Sequence, residues 1–81
     1  MRLAALTAEI EVLAWRGDRQ VVVTSIVDDS RRASPGCLFA AIPGLQQDGH
    51  NHAPAAVERG AVALVVEREL PELGVPQVVV A

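Results

Sequence analysis

Three short, mostly apolar runs constrain the fold of this 81-residue chain more than any other feature. They occupy residues 37–42, 61–67 and 77–80, and a Gly or a Pro precedes each of them. Apolar runs of this length are typical of strands, and a strand that is apolar on both faces is typical of a parallel sheet covered on both sides. We therefore expect a single small domain built around a buried sheet.

The remaining elements follow from spacing and from Pro and Gly positions. Apolar residues three or four apart predict an amphipathic helix over residues 3–14. The β-branched residues of 20–26 predict a further strand, which makes four. Residues 54–59 predict a short helix, because Pro54 suits a first turn and Gly60 suits the left-handed position after a last turn. Polar segments separate these elements, at residues 28–36, 43–51 and 68–76. The fold class predicted is α/β, a small sheet with a parallel pair and flanking short helices.

Composition excludes several classes of function. The chain has one Phe, one Trp, no Tyr and a net charge of −3, which leaves little material for stacking bases or for binding phosphate backbones. Nucleic acid is therefore not an expected partner. The single cysteine, Cys37, excludes an internal disulfide and is interpreted as a core residue. No leader pattern or apolar stretch long enough to cross a membrane is present, which favours a soluble, cytoplasmic protein.

Two polar clusters follow predicted strands. Residues 28–32, Asp-Asp-Ser-Arg-Arg, come directly after one strand, where α/β domains collect ligand-binding groups. The same residues could instead bond their own backbone, and Ser30 has no adjacent base to make it a nucleophile. Residues 44–52 form the second cluster. Asp48, His50 and His52 could be interpreted as metal ligands, but the spacing favours hydrogen-bonded loop residues, so we expect no metal.

Phosphate-binding glycine loops are missing from the sequence. Neither G-x-G-x-x-G nor G-x-x-x-x-G-K-[ST] occurs, so the chain lacks the usual cradle for a dinucleotide or for ATP. Taken alone, the residues predict a small binding domain with no assignable reaction.

Read together, the two clusters resemble the opening domain of the Mur ligase family. The shared pattern contains D-S-R at residues 29–31, P-G at 35–36, L-F-x-A at 38–41, D-G-H at 48–50 and G-A at 60–61. The resemblance covers about residues 20–81. Within the family it is closest to members that add the third residue of the peptidoglycan stem peptide. Members that add D-Ala-D-Ala come next, and the ending at residues 75–81 favours the former.

The resemblance implies a three-domain, ATP-dependent ligase whose first domain, residues 1–81, binds the UDP end of a UDP-MurNAc-peptide. The central ATP- and Mg²⁺-binding domain and the C-terminal amino-acid domain would then lie elsewhere in the chain, and no catalytic residue is expected in this segment. No cofactor is expected here either. The resemblance places substrate contacts at Asp28, Ser30, Leu45, Gln46 and Gln47. It places loop-shaping roles at Arg31, Gly44, Asp48, Gly49 and His50.

A different class of function stays open. The chain could be an isolated α/β interaction domain that has kept the fold and lost the ligand. A binding titration with UDP would separate the two. The final segment, residues 77–81, has the character of a buried strand, which favours a chain that continues.

Overall fold

The computed structural model describes residues 1–8, 10–41 and 49–80, which form one five-stranded sheet with short helices on its faces. The strands are β1 (Val12–Arg16), β2 (Ser25–Val27), β3 (Cys37–Ala41), β4 (Ala63–Val66) and β5 (Gln77–Val80). The α-helices are α1 (Leu3–Leu6) and α2 (Ala53–Glu58). Single 3₁₀ turns cover Ser30–Arg32, Gly49–His52 and Pro71–Leu73.

Strand order across the sheet is β1-β5-β4-β3-β2. Strands β2, β3, β4 and β5 are parallel to one another, and only β1 is antiparallel, paired to β5. The predicted α/β class with a parallel pair is confirmed, and parallel pairing extends over three neighbouring pairs. Because α2 connects β3 to β4, the centre of the sheet is a strand–helix–strand unit.

Alternate residues of the strands belong to two separate apolar clusters, one on each face of the sheet. On one face Phe39, which is 1% exposed, packs with Leu64 and with the buried alanines of α2. On the other face Leu38 and Val78 pack with Leu3 of α1. The predicted two-sided burial of β3 is therefore confirmed, and Cys37 is buried as expected.

The predicted helix over residues 3–14 is wrong beyond its first turn. Helix α1 ends at Leu6, where the hydroxyl of Thr7 donates to the carbonyl oxygen of Leu3 at 3.0 Å. Residues 12–16 instead form β1, and Leu13, which the helical spacing placed on a buried face, is 60% exposed. The physical reason is tertiary. The apolar strand β5 needs a partner for its second edge, and Val12–Arg16 supplies it.

The predicted strand over residues 20–26 is displaced. Only Ser25–Val27 joins the sheet as β2. Val23 bonds the N-terminal residues, since its amide donates to the carbonyl of Met1 at 2.6 Å and its carbonyl accepts from the Met1 ammonium at 2.9 Å. The β-branched run is extended as its composition indicates, but its first half pairs with the N-terminus.

Helix α2 ends in a six-to-one turn at Gly60. The amide of Ala61 donates to the carbonyl of Ala56 and that of Gly60 donates to the carbonyl of Val57, both at 3.0 Å. Gly60 has a φ of 108°, as expected for the residue after a helix C-terminus. Its predicted role after α2 is confirmed, together with Pro54 in the first turn.

Gly60 also makes a close backbone contact with the first polar loop. The amide of Gly36 donates to the carbonyl of Gly60 at 2.9 Å, and a Cβ on Gly60 would lie 2.6 Å from the Cα of Pro35. The absence of a side chain at Gly60 therefore lets α2 lie directly against the loop that precedes β3.

We predict that Gly60→Ala destabilises the domain by about 1–3 kcal/mol, because alanine adds both an unfavourable φ and a backbone clash. Gly74→Ala is the matched control. Gly74 also has a positive φ, of 67°, but a Cβ there meets nothing within 4 Å. Chemical denaturation of the two variants measures the difference. Equal losses of stability would contradict the role given to the Gly60–Pro35 contact.

Candidate functional site

Parallel pairing places the ends of β2 and β3, which precede the two predicted loops in the chain, at one edge of the sheet. Val27, the last residue of β2, pairs with Phe39 of the neighbouring strand β3, which continues to Ala41. The first loop leaves β2 and the second leaves β3 at the carboxyl ends of these strands. In open α/β sheets ligands bind outside the carboxyl ends of the strands.

The first loop is organised by Asp29. Its carboxylate accepts from the backbone amide of Arg31 at 2.9 Å, and this contact begins the 3₁₀ turn Ser30–Arg32. The guanidinium of Arg31 donates to both carboxylate oxygens, at 3.1 Å and 2.9 Å. Asp29 was not among the predicted contacts, yet it determines the conformation of the residues that were.

These contacts lower the pKa of Asp29 from 3.8 to about 2. The largest cause is the hydrogen bond from the Arg31 side chain, followed by the one from the Arg31 backbone amide. The same ion pair raises the pKa of Arg31. Asp29 is therefore a structural anion near neutral pH and has no character of a general acid or base.

The two predicted contacts of this loop differ in exposure. Asp28 is exposed, whereas Ser30 is buried, with 8% of its surface accessible. Ser30 lies between Asp29 and Arg31 in sequence, so the carboxylate–guanidinium pair holds it on both sides. Its position at the start of the 3₁₀ turn is thereby set. Whether Asp28 and Ser30 contact substrate stays a prediction.

The second loop lies largely outside the described residues. Gly44, Leu45, Gln46, Gln47 and Asp48 belong to that part of the chain. Gly49 and His50 begin the 3₁₀ turn Gly49–His52, which contacts β3 and leads directly into α2, although the side chain of His50 also lies outside what the structure describes. The predicted roles of all seven residues stay predictions.

Arg59 belongs to the site region and was missed by the sequence interpretation. It follows the last residue of α2, and its guanidinium donates to the carbonyl of Arg31 at 3.0 Å. An arginine near a helix C-terminus commonly bonds a carbonyl, but the sequence does not tell which one. Only the packing of α2 on the 3₁₀ turn identifies the acceptor.

Two other features bear on possible ligands. Within residues 1–8, 10–41 and 49–80, no group of three or more His, Cys, Asp or Glu side chains is placed to hold a metal. Because Asp48 lies outside these ranges, the expectation of no metal stays a prediction. An open groove of about 350 Å³ lies beside β2, lined by Met1, Leu6, Val23, Thr24, Ser25 and Ile26. None of these residues belongs to either polar loop, so the groove is separate from the candidate site.

The helices of the described chain are short. Within the ranges that the structure covers, none is long and apolar enough to cross a membrane.

Comparison with known proteins identifies similar sequences along most of the chain. The family profile described as "Mur ligase family, catalytic domain" matches residues 22–80. The chain is 36% identical over 73 residues to the UDP-N-acetylmuramoyl-L-alanyl-D-glutamate–2,6-diaminopimelate ligase of Alkaliphilus metalliredigens, covering 90% of this chain and 15% of that protein. It is 48% identical over 60 residues to the UDP-N-acetylmuramoyl-tripeptide–D-alanyl-D-alanine ligase of Mycobacterium leprae, covering 74% of this chain and 11% of that protein.

A solved structure shows the same arrangement. The UDP-N-acetylmuramoylalanyl-D-glutamyl-2,6-diaminopimelate–D-alanyl-D-alanyl ligase of Acinetobacter baumannii aligns with a TM-score of 0.75 and 31% identity. The alignment covers 98% of this chain and 17% of that one, so it includes the N-terminal residues that the sequence resemblance left unaligned. The chain therefore spans less than a fifth of the length of these relatives.

The Asp29–Arg31 pair generates a prediction about pH. Because the folded-state pKa of Asp29 lies below its ordinary value of 3.8, the pair stabilises the fold fully above that value. The stabilisation is lost as the pH falls from about 4 to about 2. Carboxyl ¹³C titration by NMR should place the Asp29 midpoint near 2. In Arg31→Met the midpoint should rise towards 3.8, since both Arg31 side-chain effects are removed.

Arg32→Met is the control, because Arg32 acts on Asp29 only through its charge. Its effect on the pKa of Asp29 is the smallest of the causes. An equal rise in the Asp29 pKa in both variants would show that general positive charge, and not the Arg31 hydrogen bonds, lowers this pKa.

Proposed function

Because the chain belongs to the Mur ligase family, we propose that it is the N-terminal domain of a peptidoglycan ligase and holds the UDP end of the precursor. The whole ligase would activate a carboxylate of a UDP-MurNAc-peptide with ATP and join it to an amine. This segment supplies binding and orientation for that reaction. We place the protein in the cytoplasm on the same grounds.

The observation that carries the proposal is that ligases for two different steps match the same segment. One relative is named for adding 2,6-diaminopimelate and another for adding D-alanyl-D-alanine. Their incoming amines differ, but both names contain the UDP-N-acetylmuramoyl group. A segment common to both is best suited to the part of the substrate that both share. We infer that this part is the UDP-MurNAc moiety.

The geometry of the first loop supports this assignment. Ser30 follows β2 at the carboxyl edge of the sheet, next to the exposed Asp28, and the Asp29–Arg31 contacts hold the backbone of its 3₁₀ turn. The second loop, with Leu45, Gln46 and Gln47, begins at the same edge after Ala41. A hydroxyl and two amide side chains provide the donors and acceptors that a uracil ring requires.

ATP and Mg²⁺ are assigned to parts of the ligase outside these 81 residues. The sequence contains no glycine loop suited to ATP phosphates, so the residues present do not fit that cofactor. The relatives are about six to seven times longer than this chain, which leaves ample length for an ATP-binding domain and an amino-acid domain.

Two steps of the pathway are candidates for the whole enzyme. We favour addition of the third stem-peptide residue, because relatives named for the diaminopimelate ligase match 90% or more of this chain in three cases, at 90%, 99% and 94%. The D-Ala-D-Ala-adding step is the second candidate, favoured by the 48% identity to the Mycobacterium leprae ligase and by the structural neighbour from Acinetobacter baumannii. Assay of the full ligase with each UDP-MurNAc-peptide and each amine distinguishes them.

We predict that the 81-residue chain neither hydrolyses ATP nor forms an amide, because it lacks a phosphate-binding loop. Phosphate release from ATP with Mg²⁺ should equal that of a buffer blank. A complete ligase of the family serves as the positive control. Release that scales with the concentration of this chain would place catalytic groups within it and contradict the assignment.

We also predict that UDP binds this domain weakly, because few contacts remain to offset the entropy of association when other domains are absent. Ser30→Ala should weaken binding several-fold, corresponding to one lost hydrogen bond of about 1 kcal/mol. Ser34→Ala is the matched control, since Ser34 is an exposed serine after the 3₁₀ turn of the same segment. Titration calorimetry or NMR titration gives both affinities.

Amide-shift mapping locates the site independently. Added UDP should shift the signals of Asp28, Ser30 and Gln46. Shifts confined to the turn Pro71–Leu73, which lies between β4 and β5 in the chain, would overturn the placement of the site. No saturable shift anywhere would favour the alternative, an interaction domain that has lost its ligand.

A further inference from the structure

We propose that Arg59 is a positioning residue for the candidate nucleotide loop, acting on Ser30 through the carbonyl of Arg31. The inference rests on the proposed function, because it assigns Arg59 a part in binding the UDP end of the substrate. It concerns a residue on a different element, since Arg59 follows α2 while the loop follows β2.

The acceptor of the Arg59 hydrogen bond is a carbonyl at the end of a very short helix. The 3₁₀ turn Ser30–Arg32 uses the carbonyls of Asp29 and Ser30, which accept from the amides of Arg32 and Ala33 at 2.9 Å and 3.2 Å. The next carbonyl, that of Arg31, accepts from Nη1 of Arg59 at 3.0 Å. Carbonyls at the end of a helix need partners from outside it, and Arg59 provides one.

The loop is thereby held at three points. Asp29 caps its start, Arg59 bonds its middle, and the carbonyl of Gly60 accepts from Gly36 at its end. Two of these three contacts come from the C-terminal turn of α2. Ser30 lies between the first and the second, so both hold the backbone on either side of it.

The hydrogen bond from Arg59 to the carbonyl of Arg31 lies on the surface, where it can position the loop without contributing to the core. Arg59 is exposed, and its bond to Arg31 is solvent-accessible. Surface hydrogen bonds and ion pairs contribute little to global stability, because water competes for both partners. Loss of the Arg59 side chain should therefore loosen the loop while the sheet and its two apolar clusters stay intact.

The arrangement also links the two loops of the site. The 3₁₀ turn Gly49–His52, which ends the second loop, leads directly into α2, and α2 packs against the 3₁₀ turn of the first loop. Arg59 is placed at the end of this short helix. A ligand that orders one loop would therefore act on a helix that is bonded to the other.

The test compares Arg59→Ala, Arg59→Lys and Glu58→Ala. Glu58, the exposed neighbour in α2, is the matched control for the loss of a charged side chain at this end of the helix. Arg59→Ala should speed amide exchange at Arg32 and Ala33, move the amide signals of residues 30–33, and weaken UDP binding several-fold. Its midpoint of unfolding should match that of Glu58→Ala. Arg59→Lys, which retains one donor, should restore part of the affinity.

Each readout can overturn the inference separately. Unchanged exchange and unchanged shifts at residues 30–33 in Arg59→Ala would show that Arg59 does not order the loop. A loosened loop with wild-type UDP affinity would show that its order does not serve binding. If the wild-type chain binds no UDP, the proposed function fails, and the exchange measurement alone then decides whether Arg59 positions the loop.

Discussion

The backbone contact between Gly60 and the Pro35–Gly36 turn is the constraint on which the rest of the molecule depends. The amide of Gly36 donates to the carbonyl of Gly60, and no Cβ fits between Gly60 and Pro35. This approach brings α2 down onto the sheet, where Ala53 and Ala56 become fully buried against β3 and β4. It also joins the end of α2 to the turn that connects the first polar loop to β3.

The consequences for function follow from that packing. A domain of this size has few elements with which to position a binding loop. Here α2 has two roles. Its buried alanines cover the core, and the residues that follow it, Arg59 and Gly60, bond the loop. The Asp29–Arg31 pair completes the support of Ser30 from within the loop. This arrangement suits the proposed function, because the names of relatives that add different amines share the UDP-N-acetylmuramoyl group.

Predictions from the sequence succeeded where local chemistry and tertiary packing agree. The runs at β3, β4 and β5 are apolar on both faces and lie in a buried parallel sheet, and Pro54 and Gly60 bound α2. The prediction failed at residues 10–14, because Ile10 and Leu13 fit a helical spacing but are 46% and 60% exposed. Their segment pairs with β5, a strand more than sixty residues away in sequence, and helical periodicity carries no information about such a partner.

The sequence by itself determined the class of fold, the positions of its apolar strands along the chain and the motif that identifies the family, because strand burial and turn chemistry depend on residues close together in the chain. Only the tertiary structure decided that β1 completes the sheet, that Asp29 and not Asp28 caps the first loop, and that Arg59 reaches the carbonyl of Arg31. The first and last of these are contacts between residues far apart in sequence. They exist because packing α2 and β5 on the central strands brings their partners within hydrogen-bonding distance.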